Sequence, residues 1–389
     1  MPNVLVLDAN QRSALAIIRS LGRRGLNVIT ADAKSKSLGG ASRFSLKSAR
    51  YADPATSPDA FLTDLSAVVE QLSIDTIIPA TDLTTMLLVS QPNWTHFKLV
   101  AGPRGDSYEA LTDKARLVDL ANKLEIPVPA TRIAYTRSAI LEASHEIQFP
   151  VVLKPARSRY LKDGKVLSTG VEIVDNVAQL GRALERCQWI ADIPCLVQQF
   201  VRGRGAGIFA AYSGSGPVAW FAHRRIREKP PEGGVSVLSE SVPVDPAMQA
   251  AAAKLLTAAR WSGVAMVEFR VGEDGTPYLM EVNGRFWGSL QLAIDCGIDF
   301  PWLLYETSQG RVVPATPSYR LGRRLRWLLG DLDSLLIALR RTRSTMRQKA
   351  AAVGGFLASF TDLRCRQEIL RLSDPYPGLR EIVQWLKTR

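Results

Sequence analysis

The sequence predicts an α/β fold, with a doubly wound parallel sheet at the N-terminus, a mixed α+β unit in the middle and a basic helical C-terminal extension. Strand and helix signals alternate over residues 1–100, and two strands joined by a Gly-containing turn form a predicted hairpin over residues 264–287. From residue 321, apolar residues recur at helical spacing. At 389 residues, the chain is long enough for two or three domains.

The N-terminal region has the strand–helix–strand rhythm of a parallel sheet. The first turn, Asp8-Ala9-Asn10-Gln11, lacks the GxGxxG pattern, so the sequence does not predict dinucleotide binding. Polar residues at strand carboxyl ends mark the usual ligand side of such sheets, although turn and helix-cap roles fit them equally well. The predicted strands are residues 4–7, 28–31 and 76–79, and the predicted helices are residues 13–21 and 61–72. The candidate crevice residues are Asp8, Asn10, Ser13, Thr81 and Asp82.

The middle of the chain combines short strands with amphipathic helices. A polar segment over residues 155–170 lies between two strands and is predicted to be a mobile basic loop carrying Arg157, Arg159, Lys162 and Lys165. Residues 200–310 are predicted to form a mostly antiparallel sheet. The predicted strands before it are residues 132–134, 151–154, 171–174 and 195–199, and the predicted helices are residues 138–146, 178–186, 246–259 and 290–295.

The predicted hairpin brings together residues suited to a metal site. Its strands end in Glu268 and Glu281, on either side of a turn at Glu273-Asp274-Gly275. Asn283 and Arg285 follow Glu281 at alternate positions and so lie on its side of the strand. Two carboxylates and an amide oxygen form an all-oxygen set that suits Mg²⁺, and an arginine can bind phosphate. The hairpin therefore indicates metal–nucleotide chemistry.

Two further motifs fit a nucleotide. Lys154 ends a buried apolar strand, where an ammonium group needs an anion, although a lysine extending its charge to solvent is an alternative. The Gln198-Gln199-Phe200-Val201 segment, termed the hinge below, follows a strand and precedes a glycine-rich stretch. Its backbone groups can face a purine edge between apolar walls.

In combination, these motifs resemble the ATP-grasp superfamily, specifically its carboxylate–amine or carboxylate–thiol ligases. The order is Asp113-Lys114, then FPVVLKP, VQQF and EVNGR, with Glu268 upstream of the last. The resemblance covers roughly residues 1–310 and includes an N-terminal domain like those of biotin carboxylase and carbamoyl-phosphate synthase. It implies a pre-ATP-grasp domain (1–108), an ATP-grasp domain (109–310) with a small lid lobe (109–197) and a large catalytic lobe (198–310), and a basic helical region (311–389).

The same resemblance implies a role for each motif. ATP would phosphorylate a carboxylate, and an amine would then attack the acyl phosphate, while the basic loop closes over the phosphates. The implied cofactors are ATP and Mg²⁺, with Mn²⁺ as a substitute. The implied nucleotide-binding residues are Lys114, Lys154, Gln198, Gln199, Phe200 and Val201; the metal ligands are Glu268, Glu281 and Asn283; and the catalytic residues are Arg285 and Lys154.

The chain departs from the family pattern in two places. The lid is usually rich in glycine or serine, whereas here it is basic, and no acidic residue near residues 203–207 matches the usual ribose contact. Substrate specificity is assigned to His223 and Arg225, which precede a Gly-Gly turn, and to Asp82. A solvated strand edge is the alternative for the first two.

The charge of the chain lies mainly at its C-terminal end. The net charge is +12, and residues 311–389 hold 16 Lys and Arg against 6 Asp and Glu. A helix over residues 321–349 is predicted to pack on the body or in a homodimer, or to contact an anionic membrane surface. No recognised motif supports nucleic-acid binding.

The sequence indicates a cytoplasmic protein, with the inner face of the membrane as a second location. It begins without a secretory signal, has no apolar run long enough to span a bilayer, and spaces its four cysteines unlike disulfide or metal sites. The prediction is an ATP-dependent ligase with small-molecule carboxylate and amine substrates, an amino acid or a cell-envelope precursor among them. A non-catalytic nucleotide-binding regulator, a membrane-surface adaptor and a kinase are the alternatives.

Overall fold

A computed structural model describes residues 1–91, 98–99, 105–231, 234–314, 318–341 and 345–388, with the backbone alone at 98–99. Gly233 of the predicted Gly-Gly turn lies outside the described residues, as do residues 342–344 of the predicted C-terminal helix. The described residues form sheets of five, four and seven strands and one two-stranded hairpin. The predicted α/β class is confirmed.

The N-terminal sheet is parallel and doubly wound, as predicted. Its strand order is β3-β2-β1-β4-β5. Val4 and Val6 face α1, whereas Leu5 faces α2 on the opposite side, because successive side chains of a strand alternate. The strands are β1 (Asn3–Val6), β2 (Asn27–Asp32), β3 (Lys47–Arg50), β4 (Thr76–Ile78) and β5 (Lys98–Leu99), and the helices are α1 (Arg12–Arg23), α2 (Pro58–Gln71) and α3 (Asp82–Val89).

A smaller antiparallel sheet follows two short helices. Its order is β10-β7-β11-β6, and α6 and α7 cover its apolar face. The basic segment predicted as a loop instead contains the hairpin β8–β9. The elements are α4 (Asp106–Thr112), α5 (Lys114–Lys123), β6 (Thr131–Ala134), α6 (Arg137–Glu146), β7 (Val151–Pro155), β8 (Arg159–Lys162), β9 (Lys165–Ser168), β10 (Glu172–Val174), α7 (Val177–Arg186) and β11 (Cys195–Gln199).

The large sheet has the order β16-β15-β12-β13-β14-β17-β18 and is antiparallel except between its last two strands. Its apolar contacts reach the N-terminal sheet, because Phe209 and Leu304 share one cluster with Val6 and Ile17. The elements are β12 (Gly203–Ser213), β13 (Gly216–Lys229), β14 (Val235–Ser241), α8 (Pro246–Ala258), β15 (Gly263–Gly272), β16 (Pro277–Asn283), α9 (Leu290–Cys296), α10 (Phe300–Ser308), β17 (Arg324–Arg326), α11 (Leu328–Arg340), α12 (Met346–Thr361), β18 (Cys365–Gln367) and α13 (Tyr376–Lys387).

The C-terminal region is not entirely helical, which corrects the prediction of a continuous helix from residue 321. Arg324–Arg326 instead pairs with β14, and Cys365–Gln367 pairs beside it. The open edge of β14 supplies hydrogen-bond partners that local periodicity does not reveal. The domain boundaries at residues 108, 197 and 310 stay predictions.

Candidate functional site

The β15–β16 hairpin positions the two predicted metal-binding carboxylates opposite each other. Glu268 pairs with Glu281, and the register shifts immediately beyond, so that Met280 has no direct partner on β15. Leu279 and Val282 both pack in an apolar cluster on one side of the sheet. The extra residue therefore changes the side-chain alternation and directs Glu281 away from that cluster.

The carboxylates lie within a group of cations and one amide. Asn283 Nδ2 donates to Glu268 Oε1 at 3.2 Å and to Glu281 Oε1 at 3.3 Å. Arg225 lies 3.3 Å from Glu268, and Lys114 Nζ lies 3.4 Å from Glu281. Positive charge therefore balances both acids.

The two carboxyl groups differ in pKa. Burial raises the pKa of Glu268, and the nearby Glu281 raises it further. Burial acts in the same direction on Glu281, but Lys114 and Lys154 outweigh it and lower the pKa of that carboxyl. A bound cation would relieve the repulsion between the two acids.

Lys154 is buried beside the same hairpin. Its Nζ donates to the carbonyl of Met280 at 3.2 Å, so the unpaired residue of β16 supplies an acceptor for this ammonium group. Burial lowers the pKa of Lys154 to about 8, while Glu281 opposes the shift. Lys154 thus lies among carboxylates without a close ion pair of its own in the described residues.

Lys114 is positioned by the start of its helix. Asp113 caps α5 by accepting hydrogen bonds from the backbone of Ala115 and Arg116, and its other oxygen accepts from Arg157 at 2.9 Å. Lys114 is the first residue of the helix, and its Nζ donates to Ser158 Oγ at 3.2 Å. The Asp113-Lys114 motif therefore brings this lysine to both the carboxylates and the basic hairpin.

The hinge connects the small sheet to the large one. Gln199 and Phe200 donate backbone hydrogen bonds to Ala130 and Pro150, and the carbonyl of Val201 accepts from Arg270. Gln198 is 2% exposed; its Nε2 donates to Thr131, whereas its Oε1 has no partner among the described residues. A buried acceptor without a donor is costly, so this oxygen is suited to a ligand N–H.

Asp82 and Arg285 meet between the N-terminal and large sheets. Arg285 Nε lies 3.1 Å from Asp82 Oδ1, and its guanidinium also donates to Asn283 Oδ1 at 3.2 Å. Arg225, the second predicted substrate residue, forms ion pairs with Glu228 and Glu268. These contacts link Asp82, Arg225 and Arg285 to the carboxylate pair.

Two of the remaining crevice candidates, Asp8 and Asn10, have internal partners. Asp8 accepts hydrogen bonds from Tyr51, Thr84 and the backbone of Ala80. Asn10 accepts from Gln384 of α13, which places the C-terminal helix over this part of the sheet edge. Among the candidate residues that follow the N-terminal strands, Asp82 contacts Arg285, which in turn bonds to Asn283 beside Glu268 and Glu281.

His223 lies in an aromatic cluster, which does not bring it to the carboxylates. Its ring stacks on Phe209 with centroids 4.7 Å apart, and Nε2 lies 2.7 Å from Ser289 Oγ. Burial, together with the nearby charge of Arg225, lowers the pKa of His223 to about 3. The imidazole is therefore neutral near pH 7, and the substrate role predicted for it gains no support from these contacts.

The β8–β9 hairpin lines a cavity of about 390 Å³ together with helices α3 and α4 and strand β16. Lys162 pairs with Asp192, and Val166 donates a backbone hydrogen bond to Ala55. The hairpin is thus folded against both neighbouring sheets. The cavity wall includes Asp82, Met86, Leu87, Tyr108, Lys114, Arg157, Arg159, Leu161, Glu281 and Asn283.

The donor set fits Mg²⁺ that is also bound by a phosphate. Within the described part of the chain, no group of three His, Cys, Asp or Glu side chains could hold a metal alone. Glu268, Glu281 and the Asn283 amide supply hard oxygen ligands, and Mg²⁺ commonly completes its shell with water and substrate phosphate. A site of this kind is expected to fill together with a nucleotide.

Comparison with known proteins identifies the fold. A family model described as ATP-grasp in the biosynthetic pathway with Ter operon matches residues 213–330, which contain β13 to β17. The match includes the β15–β16 hairpin, so this part of the chain is similar to ATP-grasp domains. The large chain of carbamoyl phosphate synthase from Pasteurella multocida (strain Pm70) is 25% identical over 193 residues. That match covers 48% of this chain and only 17% of the curated relative.

Two solved structures share the ATP-grasp fold at low identity. The biotin carboxylase domain of 2-oxoglutarate carboxylase from Hydrogenobacter thermophilus, in complex with the magnesium salt of ADP and with bicarbonate, has a TM-score of 0.65 at 16% identity. The match covers 83% of this chain and 73% of that one. The L-amino acid ligase from Bacillus licheniformis has a TM-score of 0.62 at 17% identity, with 83% and 78% covered.

Sequence reasoning missed three groups that complete this candidate site. Ser158 contacts Lys114, the carbonyl of Met280 accepts from Lys154, and Glu228 pairs with Arg225. Ser158 follows the FPVVLKP motif closely and could have been noticed there. The other two depend on irregular strand register, for which the sequence carries no local signal.

Proposed function

We propose that this protein is an ATP-dependent ligase that activates a carboxylate as an acyl phosphate and joins it to an amine. The observation that carries the proposal is the convergence of Glu268, Glu281 and Asn283 with Lys114 and Lys154 within an ATP-grasp fold. This set combines oxygen ligands for a metal with cations for phosphates.

ATP is the proposed nucleotide and Mg²⁺ the proposed metal, with Mn²⁺ as a substitute. Lys114 and Lys154 would bind the α- and β-phosphates, and the hinge backbone would bind adenine. The buried Oε1 of Gln198 supports this assignment, because an adenine amino group can donate to it. When bound, the metal neutralises charge on the transferred phosphoryl group.

Nucleotide binding would exchange ion pairs within the site. Lys114 forms an ion pair with Glu281 in the absence of nucleotide. A bound phosphate would compete with Glu281 for this lysine, and the metal ion would then balance the charge of Glu281 in its place. Arg285 would hold the transferred phosphoryl group beside the substrate carboxylate. The protein thus mainly positions reactants and supplies charge, as expected for phosphoryl transfer.

The β8–β9 hairpin is proposed to limit hydrolysis of the acyl phosphate. Arg159 of the hairpin and the preceding Arg157 line the cavity beside Lys114 and Glu281, so closure of the hairpin would separate this space from solvent. Excluding water favours attack by the amine over hydrolysis. Arg225 and Asp82 are the proposed substrate contacts, and an amino acid or a cell-envelope precursor is the proposed substrate class.

The experiment measures ADP and phosphate release with Mg-ATP across panels of carboxylates and amines. Wild-type protein is expected to turn over only when both substrates are present, and Glu281→Gln is expected to lower kcat/KM by about 100-fold. Glu273→Gln is the matched control, because Glu273 is exposed in the turn of the same hairpin.

Three results would contradict the proposal. Mg-dependent nucleotide binding without turnover for any pair would instead support a regulatory role. Turnover that needs no amine would indicate a kinase. Equal activity of wild type and Glu281→Gln would show that the carboxylates of the β15–β16 hairpin are not required for the reaction. A homodimer and contact of residues 321–349 with a membrane are further proposals.

A further inference from the structure

Helix α12 has apolar residues on two faces, but the described protein covers only one of them. Its inner face packs through Ser359, which is 9% exposed, and through Phe356, whose ring lies under the Arg326 guanidinium. Its outer side carries Met346, which is 81% exposed, and Leu357, which is 58% exposed. Large apolar side chains exposed on one face of a helix are suited to a partner surface.

Basic residues surround the same helix, and acidic residues are absent from it. Residues 334–361 contain five Lys and Arg and no Asp or Glu. Arg340 is exposed at the end of α11, and Arg347 is exposed in the first turn of α12. Helix α11 packs against α12, and only residues 341–345 separate the two in the chain, so both arginines lie near the N-terminal end of α12.

We propose that the outer face of α12 binds an anionic lipid surface. Met346 and Leu357 would enter the boundary between headgroups and acyl chains, and Arg340 and Arg347 would contact phosphate groups. No helix among the described residues is long and apolar enough to cross a membrane, so the contact would be peripheral.

Charge favours lipid over a second copy of this chain. In a twofold contact through this face, residues 334–361 of the second copy would offer no carboxylate to pair with the basic residues of the first. An anionic membrane supplies the missing negative charge. The proposal does not depend on the proposed ligase reaction, because binding is measured without ATP or substrates.

The test is flotation of the full chain with vesicles of phosphatidylcholine alone or with about 30% phosphatidylglycerol, in about 0.1 M salt. Wild-type protein is expected to float with the anionic vesicles and to remain at the bottom with the neutral ones. Leu357→Asp and Met346→Asp are each expected to weaken binding by about tenfold or more. Ile173→Asp is the matched control, because Ile173 is 54% exposed on the distant strand β10.

Sedimentation velocity and ADP affinity are measured on every variant. Unchanged ADP affinity would show that the variants are folded. The proposal is overturned if wild type does not bind anionic vesicles, or if Leu357→Asp binds as wild type does. A wild-type dimer that Leu357→Asp converts to monomer, without vesicle binding by either, would instead assign the face to a second copy.

Discussion

The ionisation of Lys154 depends on the arrangement of the site around it. Burial among apolar strand residues lowers its pKa to about 8, and the Met280 carbonyl is its hydrogen-bond acceptor. An ammonium group held this way has lost much of its hydration and gains strongly from a phosphate. Lys154 is therefore charged near pH 7 and loses its proton in the free protein just above that range.

Nucleotide affinity is predicted to fall as the pH rises through 8, because the free protein then loses the Lys154 proton that phosphate binding requires. The Kd for ADP should rise by up to about tenfold per pH unit above that value. In Lys154→Arg the charge persists, so its Kd should change little between about pH 7 and about pH 9. Calorimetric titration measures both. A parallel pH dependence in the two proteins would show that another group is responsible.

For single residues, the sequence predicted which side chains form the site but not which neighbours each of them contacts. Glu268, Glu281, Asn283 and Arg285 could be grouped because strand alternation is a local rule. His223 could not be placed, because its contacts come from distant parts of the chain, with Phe209 of β12 stacked on its ring and Ser289 bonded to its Nε2. Long-range packing decides whether a histidine faces a ligand or a core.

The β8–β9 hairpin is an element whose sequence pattern predicts the wrong structure, a loop instead of two paired strands. Its residues are polar and basic, which is typical of a loop, yet Arg159–Lys162 pairs with Lys165–Ser168 around Gly164. The short strand β17 was missed for the opposite reason. Leu325 and Leu328 continue the helical spacing of the next helix, and only the open edge of β14 favours a strand there.

Bound nucleotide is predicted to protect the β8–β9 hairpin from proteolysis, because the hairpin would close over the phosphates. Trypsin should cleave after Lys162 or Lys165 in the free protein, and Mg-ADP should slow that cleavage by about tenfold through reduced opening. Mass spectrometry of the fragments measures the rate. Cleavage after Lys34 and Lys36, exposed between β2 and β3, serves as the internal control. Equal rates with and without nucleotide would rule out a closing role for this hairpin.

At the scale of the whole molecule, the C-terminal region contacts both the N-terminal unit, through α1, and the large sheet, through β13. Arg19 and Asp374 form a fully buried ion pair, and Arg12 pairs with Glu368 over the ring of Trp327. On the other side, Arg227 of β13 pairs with Asp331 of α11. The sequence showed the charge of this region but not these partners, which lie more than a hundred residues away.

Asp374→Asn is predicted to lower the free energy of unfolding by about 3 kcal/mol, because it leaves the buried Arg19 without a counter-charge. Urea unfolding monitored by tryptophan fluorescence measures the change. Ser373→Ala is the neighbouring control and should cost less than about 1 kcal/mol, since its bond to Arg23 is exposed. A wild-type midpoint for Asp374→Asn would mean that the C-terminal region does not stabilise the body.

Transfer of ¹⁸O from substrate carboxylate to phosphate tests the acyl-phosphate mechanism most directly. The labelled substrate is any carboxylate that supports ADP release in the presence of an amine. When the γ-phosphoryl group joins a carboxylate oxygen and the amine then displaces phosphate, that oxygen leaves with the phosphate. The account predicts ADP and phosphate that carries one ¹⁸O atom. Phosphate without label, or AMP with pyrophosphate, would contradict it.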